Sequence, residues 1–418
     1  MQRRLIVLKL LVLVMSTASF TLAQDAAELR FLCYQDGNEC EVYAELLDRF
    51  SADTGIVIHV EIVAADKIDA ELSRRLAEGT SPDFARVSDL ATLAGHTLDL
   101  RPLLTNADEL EAQIPAPVLS ALRDGHEDDG IYALPDALAV VAPFVNLSSF
   151  EQAGIAIPGG GDQSAGWDEW LAALDLVLAE TAVPYALAVD NKEHRLVGPA
   201  MSLGARYFDE SGDLRLVDDS GLREFLRILQ RLMEADKTPA DTLLGTGKSQ
   251  DYFVRGETVL YICGSWKVLS VAQAVDNAFE WAILPNPGGV GGSAGIAQVT
   301  SLVAFEGSPH TEALGMVFDY LTQPAVIGAF SAQTLTVPAL LTAAGAEVNY
   351  VTEIPAIAAA LNAFAREVPR LQDQAVALDL HPEAAVYYEA SNQYLRAFFA
   401  GELGLDEALA GIEQALAN

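Results

Sequence analysis

Apolar and polar positions in the first hundred residues change rhythm in a regular order. Short apolar runs alternate with segments in which apolar residues recur at helical spacing, and Gly55 and Gly79 follow the helical segments as stop signals. This order predicts parallel strands joined by crossover helices, and therefore an α/β fold. The predicted strands are 29–33, 56–63 and 83–87, and the predicted helices are 42–50 and 65–76.

The rest of the chain has more helical than strand pattern. A polar segment rich in aspartate and glycine at 209–213 separates two short runs and predicts a hairpin turn. A segment rich in proline and glycine, 285–292, predicts a loop or a crossing between lobes. The predicted helices are 167–178, 221–233, 311–321, 354–368, 384–399 and 405–416, and the predicted strands are 184–189, 258–262 and 297–305.

The first 23 residues have the features of a cleaved signal peptide. Arg3 and Arg4 precede an apolar stretch, and Ala23 is the small residue that signal peptidase prefers. The alternative is an N-terminal membrane helix, but Lys9 interrupts the apolar run, and a span needs about 20 clean residues. We therefore expect export to the periplasm or another extracytoplasmic space.

The charge balance excludes several classes of partner. The chain has 25 Lys and Arg against 59 Asp and Glu, for a formal net charge of −34. Such a surface repels phosphate backbones and anionic headgroups, so nucleic acid is not an expected partner. With 51% hydrophobic residues the chain can build sizeable cores, and we expect a monomer.

Three cysteines are too few for a disulfide-dense scaffold or a four-cysteine zinc site. Cys33 and Cys40 flank a short polar loop and could form a disulfide in an oxidising compartment, or remain as two thiols. Cys263 follows an apolar run and is predicted to be a buried thiol.

Two short motifs suggest enzyme chemistry but lack its context. Segment 245–249 ends like a phosphate-binding loop, but Thr242 stands where the first glycine is needed. Segment 291–295 matches G-x-S-x-G, but the strand-like run follows the serine instead of preceding it. The histidines show no H-x-x-x-H spacing. We therefore predict no cofactor, no metal and no enzymatic activity.

A series of short motifs resembles one known family. In order, they are GIYALP (130–135), PFVN (143–146), FEQAG (150–154), GWDEW (166–170), FVRGE (253–257), GSW (264–266), FFAGE (398–402) and LDEAL (405–409). Together they resemble the extracellular solute-binding proteins of carbohydrate ABC importers, the maltose-binding-like family. The chain departs from that pattern before Trp167, where threonine is usual, and at Cys263, where methionine is common.

The resemblance implies a class II periplasmic-binding-protein fold, in which two lobes with mainly parallel sheets are joined by crossover strands. The N-terminal lobe would comprise 24–140 plus 296–335, and the C-terminal lobe 141–295 plus 336–418. Such a protein does no chemistry: it captures a sugar or oligosaccharide and delivers it to ABC permease subunits. Two alternatives stay open, namely a non-sugar cargo such as a polyamine or organic anion, and a secreted hydrolase.

The resemblance also implies site residues. Sugars present hydroxyls to polar side chains and C–H faces to aromatic rings. Trp266, beside Ser265, is the expected stacking platform, and Asp89 follows a strand at the edge where α/β sheets bind ligands. The other expected ligand-binding residues are Tyr34, Gln35, Asp36, Asn146, Glu193, His194, Arg195 and Gly295.

Overall fold

The computed structural model describes residues 27–93, 95–123, 126, 128–161, 163–293 and 296–417. The predicted signal peptide and Gly295 lie outside these residues, so both expectations stay predictions. Among the described residues, no one helix has the length and apolar character needed to cross a membrane. The bent pair Thr311–Leu321 and Pro324–Thr334 meets both criteria when its helices are taken together.

The strands form one central sheet and two small two-stranded sheets. Six of them were predicted from apolar runs, and these six begin and end within a few residues of the predicted positions. The strands are β1 Glu28–Gln35, β2 Val57–Ala64, β3 Phe84–Val87, β4 Leu134–Asn146, β5 Tyr185–Ala188, β6 Arg206–Phe208, β7 Leu214–Asp218, β8 Thr258–Gly264, β9 Trp281–Ile283, β10 Gly288–Gly289, β11 Gly292–Ser293, β12 Ile296–Ala304 and β13 Val337–Pro338.

The central sheet is mixed, with the order β2-β1-β3-β12-β4-β8-β5, and β9 and β13 also pair with β4. β1 runs parallel to β2 and β3, and β5 runs parallel to β8. The pairs made by β4 with β8, β9, β12 and β13, and the pair of β12 with β3, are antiparallel. The predicted parallel pairing therefore holds at the two ends of the sheet, and two long strands cross its middle in the opposite sense.

Helices cover the sheet where the sequence shows amphipathic patterns. α8 buries Leu222, Phe225, Leu226 and Leu229 on one face, at roughly 1.5–3 kcal/mol for each side chain. The helices are α1 Glu39–Thr54, α2 Ile68–Glu78, α3 Ala107–Glu111, α4 Ala116–Leu122, α5 Leu147–Ala153, α6 Trp167–Glu180, α7 Glu193–Ser202, α8 Ser220–Glu234, α9 Ala240–Leu243, α10 Ser249–Val254, α11 Val268–Val275, α12 Thr311–Leu321, α13 Pro324–Thr334, α14 Leu341–Ala344, α15 Pro355–Ala365, α16 Asp373–Leu380, α17 Ala384–Phe399 and α18 Leu405–Leu416.

α7 is the missed helix that matters most for the cleft, and it is one of ten helices in the described part of the chain that the sequence pattern did not predict. Nearly every side chain from Glu193 to Ser202 is buried, so no polar face marks a helical period. Gly198 and Pro199 also lower the helix propensity of the segment. Residues expected to lie in a loop after β5 therefore begin a buried helix.

Two apolar cores lie on opposite faces of the crossing strands. The first core packs β1 and β3 against α1, α12, α13 and α15, and the second packs β5 and β8 against α6, α8, α17 and α18. β4 contributes to both, because successive side chains of a strand point to opposite faces. Ala142 and Phe144 enter the first core, and Val141 and Val145 enter the second. One continuous strand thus joins the two halves of the molecule.

Candidate functional site

A cleft of about 1110 Å³ opens where the carboxyl ends of the parallel strands meet. The first wall consists of Tyr34, Asp36, Ser88 and Asp89, which follow or end β1 and β3, with Ala65 after β2. The second wall comes from segments 190–195, 242–250 and 266–267, after β5, around α9 and α10, and after β8. The floor is Ala139 with 298–300 of β12, and the helical side is 379–385 with Tyr388, Asn392 and Arg396.

A disulfide holds the loop that carries the first wall. Cys33 and Cys40 are joined, with their Cα atoms 5.8 Å apart. Within the loop, the backbone N–H of Gly37 donates to the Glu39 carboxylate over 2.7 Å. The predicted disulfide is therefore confirmed, and Cys263 is a buried free thiol, as expected.

A buried ion pair lies beneath the first wall. The Nε of Arg86 donates to Oδ2 of Asp136 over 2.8 Å, and the Tyr43 hydroxyl donates to the same oxygen over 2.8 Å. Arg86 and Asp136 are 2% and 4% exposed. Burial acts to lower the pKa of the Arg86 guanidinium, but Asp136 and the neighbouring tyrosines outweigh it and raise that pKa above its usual range.

This ion pair positions Tyr34. The Arg86 guanidinium carbon lies 4.5 Å from the centre of the Tyr34 ring, within cation–π distance. Burial raises the pKa of the Tyr34 hydroxyl to about 12, so the hydroxyl keeps its proton at neutral pH. Tyr34 therefore presents a fixed ring and a protonated hydroxyl at the cleft.

The second wall is organised around the carboxylate of Asp190, which follows β5. Arg195, in the first turn of α7, forms an ion pair with it. The backbone N–H of Ser249, at the start of α10, donates to Oδ1 of Asp190 over 2.7 Å. Asp190 thus fastens two separate segments of the wall together, and it uses part of the hydrogen-bonding capacity of Arg195.

Two rings form a platform on the second wall. The His194 and Trp266 ring centres are 5.6 Å apart at an interplanar angle of 60°, and Trp266 is 38% exposed. A Cβ atom at position 264 would lie 1.7 Å from the Trp266 ring, so Gly264 is needed for this placement. Burial lowers the pKa of His194 to about 4, and its imidazole is neutral at physiological pH.

The helical side adds polar groups that are remote in sequence. Tyr388, Asn392 and Arg396 recur every four residues on α17, so they share one face, and all three line the cleft. Nε2 of Gln298 on the floor is 3.4 Å from Oδ1 of Asp379. Burial raises the pKa of the Asp379 carboxyl to about 6, so it ionises near neutral pH.

The structure brings six of the predicted site residues to one cleft. They come from four places: the loop after β1, the turn after β3, the start of α7 and the turn after β8. Asp89 and Trp266, the two residues on which the predicted binding geometry depends, line the same cleft. The six are Tyr34, Asp36, Asp89, His194, Arg195 and Trp266.

Four other predicted residues do not line the cleft. Nε2 of Gln35 donates to Glu41 over 2.8 Å, on the outside of the loop. The side chain of Asn146 accepts a hydrogen bond from the Ser149 backbone N–H over 3.1 Å and so caps α5, which is a structural role. Ser265 is buried, with 6% of its surface exposed.

Glu193 is the fourth, and it lies behind the second wall. It is 5% exposed, and its Oε1 has no hydrogen-bond partner among the described residues. Burial raises the pKa of the Glu193 carboxyl to about 7. The residue was expected in a loop, but α7 turns its side chain into the protein.

Several lining residues were missed from the sequence. Lys192, Lys248 and Lys267 belong to the second wall, and Arg396 belongs to the helical side. One signal was available for the lysines: the whole chain has only six, and two of these three adjoin predicted site residues. Nothing local marks Arg396, because α17 reaches the cleft only through the tertiary fold.

The arrangement suits a polyhydroxylated ring. Aromatic faces, carboxylates, amides and cationic groups surround an open space of oligosaccharide size. Within the described ranges, no group of three or more His, Cys, Asp or Glu residues is placed to hold a metal ion. The cleft can therefore bind such a ligand through its hydroxyls and its apolar faces.

Comparison with known protein families gives one match. Residues 45–359 match the sequence profile of a family described as bacterial extracellular solute-binding protein. No curated protein sequence matches the chain.

Solved structures match over almost the whole chain. The sugar-binding protein MalE from Xanthomonas citri superposes with a TM-score of 0.78 at 20% identity, covering 94% of this chain and 98% of that one. The cyclic alpha-maltosyl-1,6-maltose binding protein from Arthrobacter globiformis gives 0.73 at 20%, with 94% and 98% covered. The GacH receptor of Streptomyces glaucescens, solved unliganded and with acarbose, gives 0.68 at 18%, with 93% and 97% covered. These likenesses show the two-lobed fold.

Proposed function

The chain belongs to the family of bacterial extracellular solute-binding proteins, and from this premise we propose that it captures a sugar or oligosaccharide and delivers it to an ABC importer. The observation that carries the proposal is the cleft itself. A partly exposed Trp266 beside a neutral His194 faces a first wall that contains Asp36 and Asp89. This combination serves both surfaces of a sugar, its C–H faces and its hydroxyls.

The proposed ligand-binding residues are the six predicted ones that reach the cleft, joined by polar groups of the helical side. Tyr34 and Trp266 supply rings from opposite walls, and Asp36, Asp89 and Arg195 supply charged hydrogen-bonding groups. Charge-assisted hydrogen bonds are stronger than neutral ones, so these groups set orientation and specificity.

The proposed mechanism is closure of two lobes around the ligand. The lobes comprise 24–140 plus 296–335 and 141–295 plus 336–418, and β4 and β12 pass between them beneath the cleft. The second apolar core lies wholly within the proposed C-terminal lobe, and the first extends from the N-terminal lobe into it. A ligand that contacts both walls binds the closed form more tightly and shifts the population toward it.

The proposed setting is outside the inner membrane. The family description places its members in an extracellular role. Residues 1–23 would direct export and be cleaved, and the exported chain would act as a monomer that docks on permease subunits. The disulfide between Cys33 and Cys40 fits an oxidising compartment.

The test is a thermal-shift screen of the purified protein, followed by calorimetry. The panel contains neutral and acidic mono- and oligosaccharides, polyols, polyamines and organic acids. A true ligand present at 100 times its dissociation constant adds about 2.7 kcal/mol to the free energy of unfolding and raises Tm. Saturable binding of a saccharide with no turnover is the expected result.

Three outcomes would contradict the proposal. A response confined to polyamines or organic acids would identify a non-sugar cargo. Product release from chromogenic glycosides or esters would identify a hydrolase. The absence of a thermal shift with every saccharide would also contradict the proposal.

A further inference from the structure

The lysines of this protein are concentrated in the cleft. The chain contains six lysines among 418 residues, and one of them, Lys9, belongs to the predicted signal peptide. Lys67 is 3.2 Å from the carboxylate of Asp66, and Lys237 is 2.8 Å from that of Asp175. The other three all lie on the second wall: Lys192, Lys248 and Lys267.

Hydrogen bonds connect the segments that carry these three lysines. The Lys192 backbone N–H donates to the carbonyl of Asp190 over 2.7 Å, and the Asp190 carboxylate holds the N–H of the residue after Lys248. Two residues beyond Lys248, Gln250 donates to the Ser270 hydroxyl over 3.0 Å, and that hydroxyl donates to the Lys267 carbonyl over 3.0 Å. Three distant segments are therefore fastened into one cationic surface.

This surface lacks internal charge compensation. In the described part of the chain, none of the three lysines forms an ion pair, although carboxylates outnumber cations more than twofold overall. Arg396 on the helical side also has no ion pair among those residues. Nε of Arg195 is buried and has no hydrogen-bond partner there. Uncompensated positive groups in a cleft concentrate the potential that attracts an anion.

The opposite wall has the reverse sign. Asp36 and Asp89 lie on the first wall, and no Lys or Arg lines the cleft on that side of the described chain. The cleft therefore has an acidic first wall and a cationic second wall, which face each other. The cationic wall also carries the aromatic ring of Trp266, next to Lys267 in sequence. The acidic wall can accept hydrogen bonds from sugar hydroxyls, and the cationic wall can hold an anionic substituent of the same sugar.

We infer that the cleft binds saccharides that carry anionic groups, with the ring on Trp266 and the carboxylate or sulfate at Lys192, Lys248 and Lys267. This inference rests on the proposed function and narrows its substrate class. Ammonium groups on flexible stems form charge-assisted hydrogen bonds with either kind of anion. The neutral His194 contributes a ring and no charge.

The experiment compares ligands that differ only in charge. Calorimetry is run with di- and trisaccharides of galacturonate, mannuronate, guluronate and glucuronate, and with their methyl esters, which keep the rings but lose the charge. Neocarrabiose sulfate and its desulfated form provide the sulfate arm. We expect at least one acid or sulfate to bind about 30-fold or more tighter than its uncharged partner.

Lysine variants locate the anion. Lys192→Gln, Lys248→Gln and Lys267→Gln together should weaken binding of the anionic ligand about 100-fold, and each alone about tenfold at most. The matched control is the double variant Lys67→Gln and Lys237→Gln, which removes lysines outside the cleft and should change affinity less than threefold. Circular dichroism and Tm confirm that both variants fold.

The outcomes separate this inference from the proposed function. Tight binding of neutral sugars with no gain from a charged group would overturn the inference and leave the sugar-binding role standing. An equal loss for charged and neutral ligands in the triple variant would assign the lysines to contacts across the cleft with Asp36 or Asp89, and would also overturn it. If no saccharide of either kind binds, both fail.

Discussion

The first wall of the cleft rests on a buried carboxylate with several hydrogen-bond donors, whereas a buried carboxyl with an oxygen unpartnered within the described chain lies behind the second wall. Asp136 accepts hydrogen bonds from Arg86, Tyr43 and Thr300. Glu193 leaves Oε1 without a partner among the described residues, and burial raises the pKa of this carboxyl to about 7. Two acids of similar burial thus differ in their surroundings: one accepts hydrogen bonds from three side chains, and the other has an oxygen without a partner in the part of the chain that the structure describes.

This difference teaches that the two walls have different tasks. The first wall is a fixed reference surface, because the ion pair beneath it is satisfied within the protein before any ligand arrives. The lysines and the Trp266 ring of the second wall have few partners within the described part of the protein. A ligand would supply the missing hydrogen bonds and ring contacts. Mutations beneath the first wall should act on stability, and mutations on the face of the second wall should act on affinity.

The largest expected effect is on the buried ion pair. Asp136→Asn leaves the Arg86 guanidinium buried without its counter-ion, and we expect a loss of roughly 3–5 kcal/mol in the free energy of unfolding, measured with urea. The matched control, Asp175→Asn, breaks the exposed pair with Lys237 and should cost less than about 1 kcal/mol. Equal losses would show that the Asp136 network is not the foundation of the first wall.

The second prediction concerns pH. The Glu193 carboxyl has a pKa of about 7 in the folded protein, against an ordinary value of 4.5. Below pH 4.5 it is protonated in both the folded and the unfolded state, so it does not change the free energy of unfolding. Between pH 4.5 and pH 7 it lowers that free energy increasingly, because the unfolded chain ionises more readily. Glu193→Gln should therefore match the parent at pH 4 and be more stable by roughly 3 kcal/mol at pH 8. His194 contributes in the other direction, since its lowered pKa of about 4 makes the fold less stable as pH falls from 6.5 to 4.

The Glu193→Gln variant and the parent protein share the His194 contribution, so it cancels in the difference between their free energies of unfolding. Glu389→Gln, on the exposed face of α17, is the control and should give a difference near zero at every pH. A Glu193→Gln difference that does not grow with pH would mean that Glu193 is ionised in the folded protein, and the contrast between the walls would disappear.

The third prediction tests the platform. Trp266→Ala removes an exposed ring from the second wall and should weaken binding of the ligand found in the saccharide screen about 30-fold, with little loss of stability. Leu269→Ala is the control, because Leu269 is 42% exposed on α11 and does not line the cleft. Unchanged affinity for Trp266→Ala, measured by calorimetry, would remove Trp266 from the site.

The smallest effect is expected at the disulfide. The bridge closes a loop between residues seven apart in sequence, and the chain-entropy model gives about 2 kcal/mol for a loop of this size. Cys33→Ser with Cys40→Ser should lower the urea midpoint accordingly and weaken binding less than tenfold, since the ion pair still holds Tyr34. As a control, a reductant should destabilise the parent protein but not this variant.

Much of the secondary structure could be predicted because amphipathic segments record which face is buried. α8 was predicted in this way and β5 from its apolar run, whereas α7 was missed because it is buried on nearly all sides. The direction of strand pairing was also beyond the local pattern, because it depends on how β4 and β12 return across the sheet. Local apolar order therefore predicts elements better than it predicts their connections.

The site shows the same division between features that the sequence predicts and features that depend on the tertiary fold. Asp89 and Trp266 were predicted from the family resemblance, and each follows a strand at the edge where strand ends collect. Asn146 also ends a strand, but it is used as a helix cap, and a sequence cannot distinguish these roles. Arg396 reaches the cleft only because α17 packs against the second wall, where the Asn191 amide contacts the Asn392 carbonyl at 3.4 Å.

The placement of the lysines determines how this protein responds to amine chemistry. Reagents that acylate primary amines find few targets on the outer surface, because half of the side-chain amines line the cleft. Coupling through amines to a sensor chip, a dye or a crosslinker would therefore modify the ligand-binding face first. Attachment through carboxyl groups, which are abundant on this chain, would leave that face open.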